Sequence, residues 1–168
     1  MITIIKYTVQ FILLVAFQVL VLNNIELFGY MNPYLYVIFV LMLPADINRN
    51  LLLVLGFLLG FSVDIFENSG AVHASATMFI AFLRPYLFKL MAGPANVEIN
   101  RMNIQTLGTV RFMVLAIFTV FLHHLWLFTL EAFSFGEFLQ VMQRTFFSSI
   151  FTLLLIYLAQ LLVYRKQE

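Results

Sequence analysis

The feature that most constrains this chain is a succession of long apolar runs separated by short polar breaks. They fall at residues 4–22, 33–43, 50–66, 71–91, 112–130 and 145–164. Hydrophobic residues make up 63% of the 168 residues and charged ones 10%, against roughly 45–50% and 25% in ordinary soluble domains. A soluble domain of this size lacks the interior volume to hide so many apolar side chains, whereas a bilayer is crossed by about 20 of them. Six crossings at that length use roughly 120 residues and leave about 48 for turns and tails. The composition thus excludes a disordered chain, a nucleic-acid-binding module and most soluble folds. It predicts one all-α integral membrane domain, a bundle of six transmembrane helices over residues 1–168.

Lys6 ahead of the first run superficially resembles a secretory leader. Only Asn23, Asn24 and Glu26 follow, with no small-x-small cleavage site, so the run reads as a retained first helix. Pro44 ends or kinks the short second run, and Asn50 is a plausible cap for the third. Arg84-Pro85 interrupts the fourth. With six spans, Lys6, Arg49, Arg84, Lys89, Arg101, Arg111, Arg165 and Lys166 share the side of the termini, and Arg144 stands alone opposite. The bias of basic residues places both termini in the cytoplasm. The outer turns then carry Glu26, Asp64, Glu67, Glu131 and Glu137, and residues 92–110 form the longest inner connection. Ser134 and Glu137 have capping-box spacing. A helix beginning near Phe135, with Phe138, Leu139 and Met142 on its apolar side, would run into the sixth span as an interfacial lead-in or a docking element.

An ionisable group in hydrocarbon costs about 2.5–3.5 kcal/mol on insertion scales, so each needs a reason. Asp64 and Glu67, three apart, share a helical face. They either bind a cation or a partner's basic group, or cap a wetted helix end. Gly56, Gly60 and Asp64 recur every four residues and form one stripe, which lets two helix backbones approach closely, within this bundle or against a partner. Gly70 and Ala74, and Ala71 and Ser75, repeat the small-residue spacing on the fourth span. His73 reads as a hydrogen-bonded residue near the outer surface. Arg84 either extends to cytoplasmic water or makes an ion pair or partner contact. His123 and His124 point about 100° apart and cannot jointly chelate a metal; one is expected to face the bundle and the other the interface. With no cysteine, there are no disulfides or thiolate sites. No phosphate loop, zinc-protease, serine-hydrolase or dinucleotide motif occurs, so no catalytic residue, cofactor or metal is expected.

Residues 27–86 resemble the bacterial rod shape-determining MreD family. The resemblance is carried by Leu27-Phe28-Gly29, Asn32-Pro33-Tyr34-Leu35, Leu43-Pro44, the block from Gly56 to Phe66 with its G-x-x-x-G-x-x-x-D pattern, Gly70, and Phe82-Leu83-Arg84-Pro85-Tyr86. It implies a scaffold of the cell-elongation complex in the bacterial cytoplasmic membrane, paired with the single-pass protein MreC. MreB filaments, the glycosyltransferase RodA and its transpeptidase are the implied further partners. Gly56, Gly60, Asp64, Gly70, Ala74 and Arg84 would then be the partner-binding set. The family is also similar in fold to the S components of energy-coupling-factor vitamin importers. A small-molecule-binding importer subunit is therefore the rival reading, although the Ala-x-x-x-Ala docking pattern is missing from the first helix, where only Ala16 occurs. An intramembrane enzyme, with Asp64, His73, His123 and His124 as proton handlers, is the third class.

Overall fold

A computed structural model of the chain describes residues 2–25, 31–92, 104–133 and 135–165. The expected runs become helices: α1 (Ile2–Leu20), α2 (Ile38–Met42), α3 (Arg49–Glu67), α4 (Val72–Ala92), a short α5 (Ile104–Leu107), α6 (Thr109–Ala132) and α7 (Phe138–Arg165). Single 3-10 turns cover Leu22–Asn24, Leu35–Val37 and Phe135–Glu137. No β-strand occurs among the described residues. Four helical stretches are long and apolar enough to cross a membrane: Ile4–Asn24, Arg49–Glu67, Thr109–Ala132 and Phe138–Leu162. The 21-residue α4 has comparable length and runs through Pro85 without a break, but carries Arg84 and Lys89. Their exposed apolar side chains, such as Leu13, Phe61, Phe118 and Leu162, suit lipid rather than water.

The second run departs most from expectation. Only eight residues are helical, the 3-10 turn Leu35–Val37 continuing into α2. That is about 12 Å of helix at 1.5 Å per residue, against a hydrocarbon core of about 30 Å. Tyr34 through Leu41, and Leu43, are all buried. Tyr34, Tyr36, Phe39, Val40 and Leu43 belong to one core cluster, and Leu35, Val37, Ile38 and Leu41 to another. The segment is thus wedged between the two halves of the bundle.

Non-helical backbone inside a membrane bundle needs partners from neighbouring elements, and polar side chains supply them. Gln18 of α1, fully buried, donates to the Pro33 carbonyl at 2.9 Å and accepts from the Tyr36 amide at 3.4 Å. Ser148 of α7 accepts from the Asn32 amide and Thr152 from the Tyr34 amide at 3.0 Å. At the far end, Arg84 donates to the carbonyls of Leu43 and Pro44.

One helix start differs from the sequence reading and another follows it. Asn48, not Asn50, caps α3; its side chain accepts from the amides of Asn50 and Leu51. α7 follows directly on the 3-10 turn at Phe135–Glu137, so the expected lead-in and the sixth run are one helix. Ser134, Glu26, the segment from Leu27 to Gly29 and most of the 92–110 connection lie outside the described residues.

Candidate functional site

The α3 stripe meets α4 at close range. A Cβ at Gly56 would sit 2.8 Å from Ala81 Cβ and 3.1 Å from the Thr77 carbonyl oxygen; one at Gly60 would overlap the His73 carbonyl and the Thr77 hydroxyl. Only a residue without a side chain allows two helix backbones so near each other. The seam is therefore filled by this chain's own fourth helix, the within-bundle alternative of the sequence reading.

Asp64 ends the same stripe and is 5% exposed. Its Oδ1 accepts from Ser69 Oγ at 2.5 Å and from the His73 amide at 2.9 Å, and its Oδ2 accepts from the Ala74 amide at 2.8 Å. The first amides of a helix have no intrahelical acceptor, and a carboxylate there also meets the positive end of the helix dipole. Asp64 is thus an internal cap on α4, neither a wetted end nor an open acid. The turn that allows this has left-handed backbone at Asn68, Gly70 and Ala71. Gly70 sits in that turn, ahead of α4, with no atom near its missing Cβ, so it shares no helical stripe with buried Ala74. Ser75, from the same run of small residues, accepts from Trp126 Nε1 of α6 at 2.9 Å.

Arg84 also departs from expectation. It is 1% exposed and turns inward to the Leu43 and Pro44 carbonyls instead of reaching water. Of the six residues expected to bind a partner, Gly56, Gly60, Asp64, Ala74 and Arg84 are buried in the chain's own bundle, and Gly70 is exposed.

The histidines converge. His73, His123 and His124 are all fully buried, which corrects both the surface placement of His73 and the expected division of the adjacent pair. Tyr36 Oη lies 2.9 Å from His73 Nδ1 and 3.1 Å from His123 Nε2. Glu67 Oε2 lies 2.5 Å from His73 Nε2, a close contact without the alignment of a good hydrogen bond. His124 bridges Val120 O through Nδ1 at 2.7 Å and Thr152 Oγ1 through Nε2 at 3.3 Å. Tyr34 packs edge-on to His73, at 5.1 Å between ring centroids. Tyr36, Gln18 and Thr152 escaped the sequence reading. Their only signal is a polar side chain within an apolar run.

Two concavities lie away from this cluster. A groove of about 670 Å³ opens between α1 and α3, lined by apolar Phe11, Phe39, Leu43 and Leu55 and rimmed by Asp46 and Asn48. A smaller pocket of about 270 Å³ lies between the end of α6 and the start of α7, among Glu131, Glu137, Gln140 and Arg144. Arg144 Nη1 is 2.5 Å from Glu131 Oε2 and its guanidinium lies over the Phe128 ring. No group of three or more candidate metal ligands occurs among the described residues.

These features define the class: an all-α membrane protein whose polar groups are gathered inside the bundle. Comparison with family models, curated proteins and solved structures gives no match to this chain.

Proposed function

We propose that this chain is a non-enzymatic scaffold of the bacterial cell-elongation complex in the cytoplasmic membrane, an MreD-like partner of a single-pass MreC-like protein, with MreB and RodA further along the assembly. In this reading the chain crosses six times, both termini are cytoplasmic, and the fold is similar to that of importer S components. The sequence resemblance of residues 27–86 supports the assignment. The observation that carries the docking mode is the open groove between α1 and α3, since the glycine seam is occupied internally. Its apolar wall faces lipid, and its rim holds the exposed acid Asp46. A partner's single transmembrane helix carries its basic residues at the cytoplasmic end, the end at which this topology places Asp46, so the charges are complementary.

The test is co-purification with the single-pass partner in mild detergent. Leu51→Trp and Leu58→Trp, which fill the groove from its exposed edge, should lower partner yield at least about fivefold at unchanged membrane level, and Asp46→Lys should lower it as well. Undiminished complex from all three variants would refute groove docking. A second reading, an S-type importer subunit, has one observation in its favour: the pocket of about 270 Å³ lined by Glu137 and by Arg144 paired with Glu131. Recovery of an ATPase with a coupling subunit, and ligand-dependent thermal stabilisation against a vitamin panel, would select that reading.

A further inference from the structure

We propose that the start of α3 and the end of α4 form a headgroup site for an anionic phospholipid. Arg49, Tyr86 and Lys89 take the phosphate, and an acyl chain lies along Phe82 and Met78 of α4. The site shares no residue with the groove between α1 and α3 and does not depend on the scaffold reading.

Arg49 sets the geometry. Its Nη2 donates to Tyr86 Oη at 3.0 Å, and its guanidinium carbon lies 4.9 Å from the Phe82 ring centroid and 5.4 Å from that of Tyr86. A cation over an aromatic face is held by the ring quadrupole. Phe82 and Tyr86 are 45% and 47% exposed, on an outer stripe of α4 that Met78 continues at the same spacing of four. α3 begins at Arg49 and is long and apolar enough to cross a membrane. Its first residue therefore belongs at a membrane surface, the depth of lipid headgroups. The guanidinium folds back along the apolar outer side of α4, since Phe82 lies about 10 Å along the helix from Lys89.

This charge has no counter-ion in the described chain. The ion pairs among the described residues are Glu67 with His73 and Glu131 with Arg144, and neither involves Arg49 or Lys89. Asp46, the nearest acid in sequence, sits on the rim of the other groove. Arg84 is turned inward to the Leu43 and Pro44 carbonyls.

The donors suit a phosphodiester. A guanidinium has five N–H donors, and Arg49 gives one to Tyr86. The Tyr86 oxygen accepts there and keeps its own O–H to donate. Lys89, three residues on and also exposed, shares that face of α4 and adds an ammonium. Guanidinium matches phosphate oxygens in pairs. The exposed stripe below selects a phosphate that carries a hydrocarbon chain, because a soluble one would leave Phe82 and Met78 uncovered. Two cations also select a net negative headgroup, since the ammonium of a zwitterionic lipid would be repelled by them.

The experiment uses the full chain in mild detergent, titrated with dioleoyl phosphatidylglycerol or dioleoyl phosphatidylcholine, with bound lipid counted by native mass spectrometry. Phosphatidylglycerol should bind at least about fivefold more tightly than phosphatidylcholine. Arg49→Gln should weaken it about fivefold, and Lys89→Gln and Tyr86→Phe about two- to threefold each, with phosphatidylcholine unchanged. Lys6→Gln, which removes the same charge from α1, should stay within about twofold of wild type. Wild-type affinity in a folded Arg49→Gln, or an equal loss in Lys6→Gln, would overturn the site. Inorganic phosphate is the second arm. If it raises the melting temperature as much as phosphatidylglycerol does, and fails to in Arg49→Gln, the site belongs to a soluble phosphate and the lipid assignment is overturned. Should Arg49→Gln fail to fold, unchanged phosphatidylglycerol affinity in Lys89→Gln overturns the site equally.

Discussion

Asp64 Oδ2 accepts the backbone N–H of Ala74 at 2.8 Å, across the turn that joins two helices. With the His73 amide on Oδ1, one carboxylate satisfies two of the amides that α4 cannot satisfy itself, and does so where the helix dipole favours negative charge. The residue that looks most like a site in the sequence is the clamp of a helical hairpin.

Asp64→Ala should therefore destabilise the folded bundle by about 1–3 kcal/mol, the cost of leaving buried donors unpaired. Asp64→Asn, which keeps an acceptor oxygen but loses the charge, should cost less. Thermal unfolding in detergent checks the order. Equal stability of the alanine variant and wild type would remove the clamp.

The glycine seam makes a graded expectation. Gly60→Ala puts a methyl group against the His73 carbonyl backbone and should cost about 1–3 kcal/mol through overpacking. Gly56→Ala meets chiefly the Ala81 methyl and should cost less, since alanine also favours the helix by about 0.5–1 kcal/mol. Trp126, the single tryptophan, stacks on Phe79 with ring centroids 4.3 Å apart and so reports α4 against α6. Its emission should shift to the red in Gly60→Leu and hold in Gly56→Ala.

Arg84 ties the end of the buried α2 segment to α4. Arg84→Met removes charged hydrogen bonds worth about 1.5–3 kcal/mol each to the acceptors it abandons. Arg84→Lys retains a charge and one reach, so midpoints should fall in the order wild type, lysine, methionine. A methionine variant as stable as wild type would mean that the two carbonyls find other donors.

Because a carbonyl only accepts, the 2.7 Å contact with Val120 O fixes the His124 proton on Nδ1. 15N chemical shifts should show His124 as the Nδ1–H form. Thr152→Val, which strands the Tyr34 amide, should cost about 1–3 kcal/mol.

The proposed topology is open to direct labelling, since the chain has no cysteine. A thiol introduced by Asn68→Cys should react with impermeant reagents from outside the cell, and one introduced by Gln167→Cys only after membrane disruption. The opposite pattern would invert every assignment of inner and outer turns.

Hydropathy alone settled that the chain is helical and belongs in a membrane, because crossing lipid demands long apolar runs and internally bonded backbone. α1, α3, α4 and α6 lie within three residues of their expected bounds for the same reason, and the four-residue spacing of Gly56 and Gly60 correctly marked a place of close approach. Spacing along one helix, however, cannot say whose helix fills the gap. Only the tertiary structure put α4 there, drew Arg84 inward, and left the segment around Tyr36 with a short, fully buried helix in place of a long one. Those outcomes depend on hydrogen-bond partners far apart in sequence, such as Gln18 with Pro33, Thr152 with Tyr34 and Arg84 with Leu43. In an apolar medium each buried polar group must find its mate wherever the fold brings one, and periodicity carries no record of that choice.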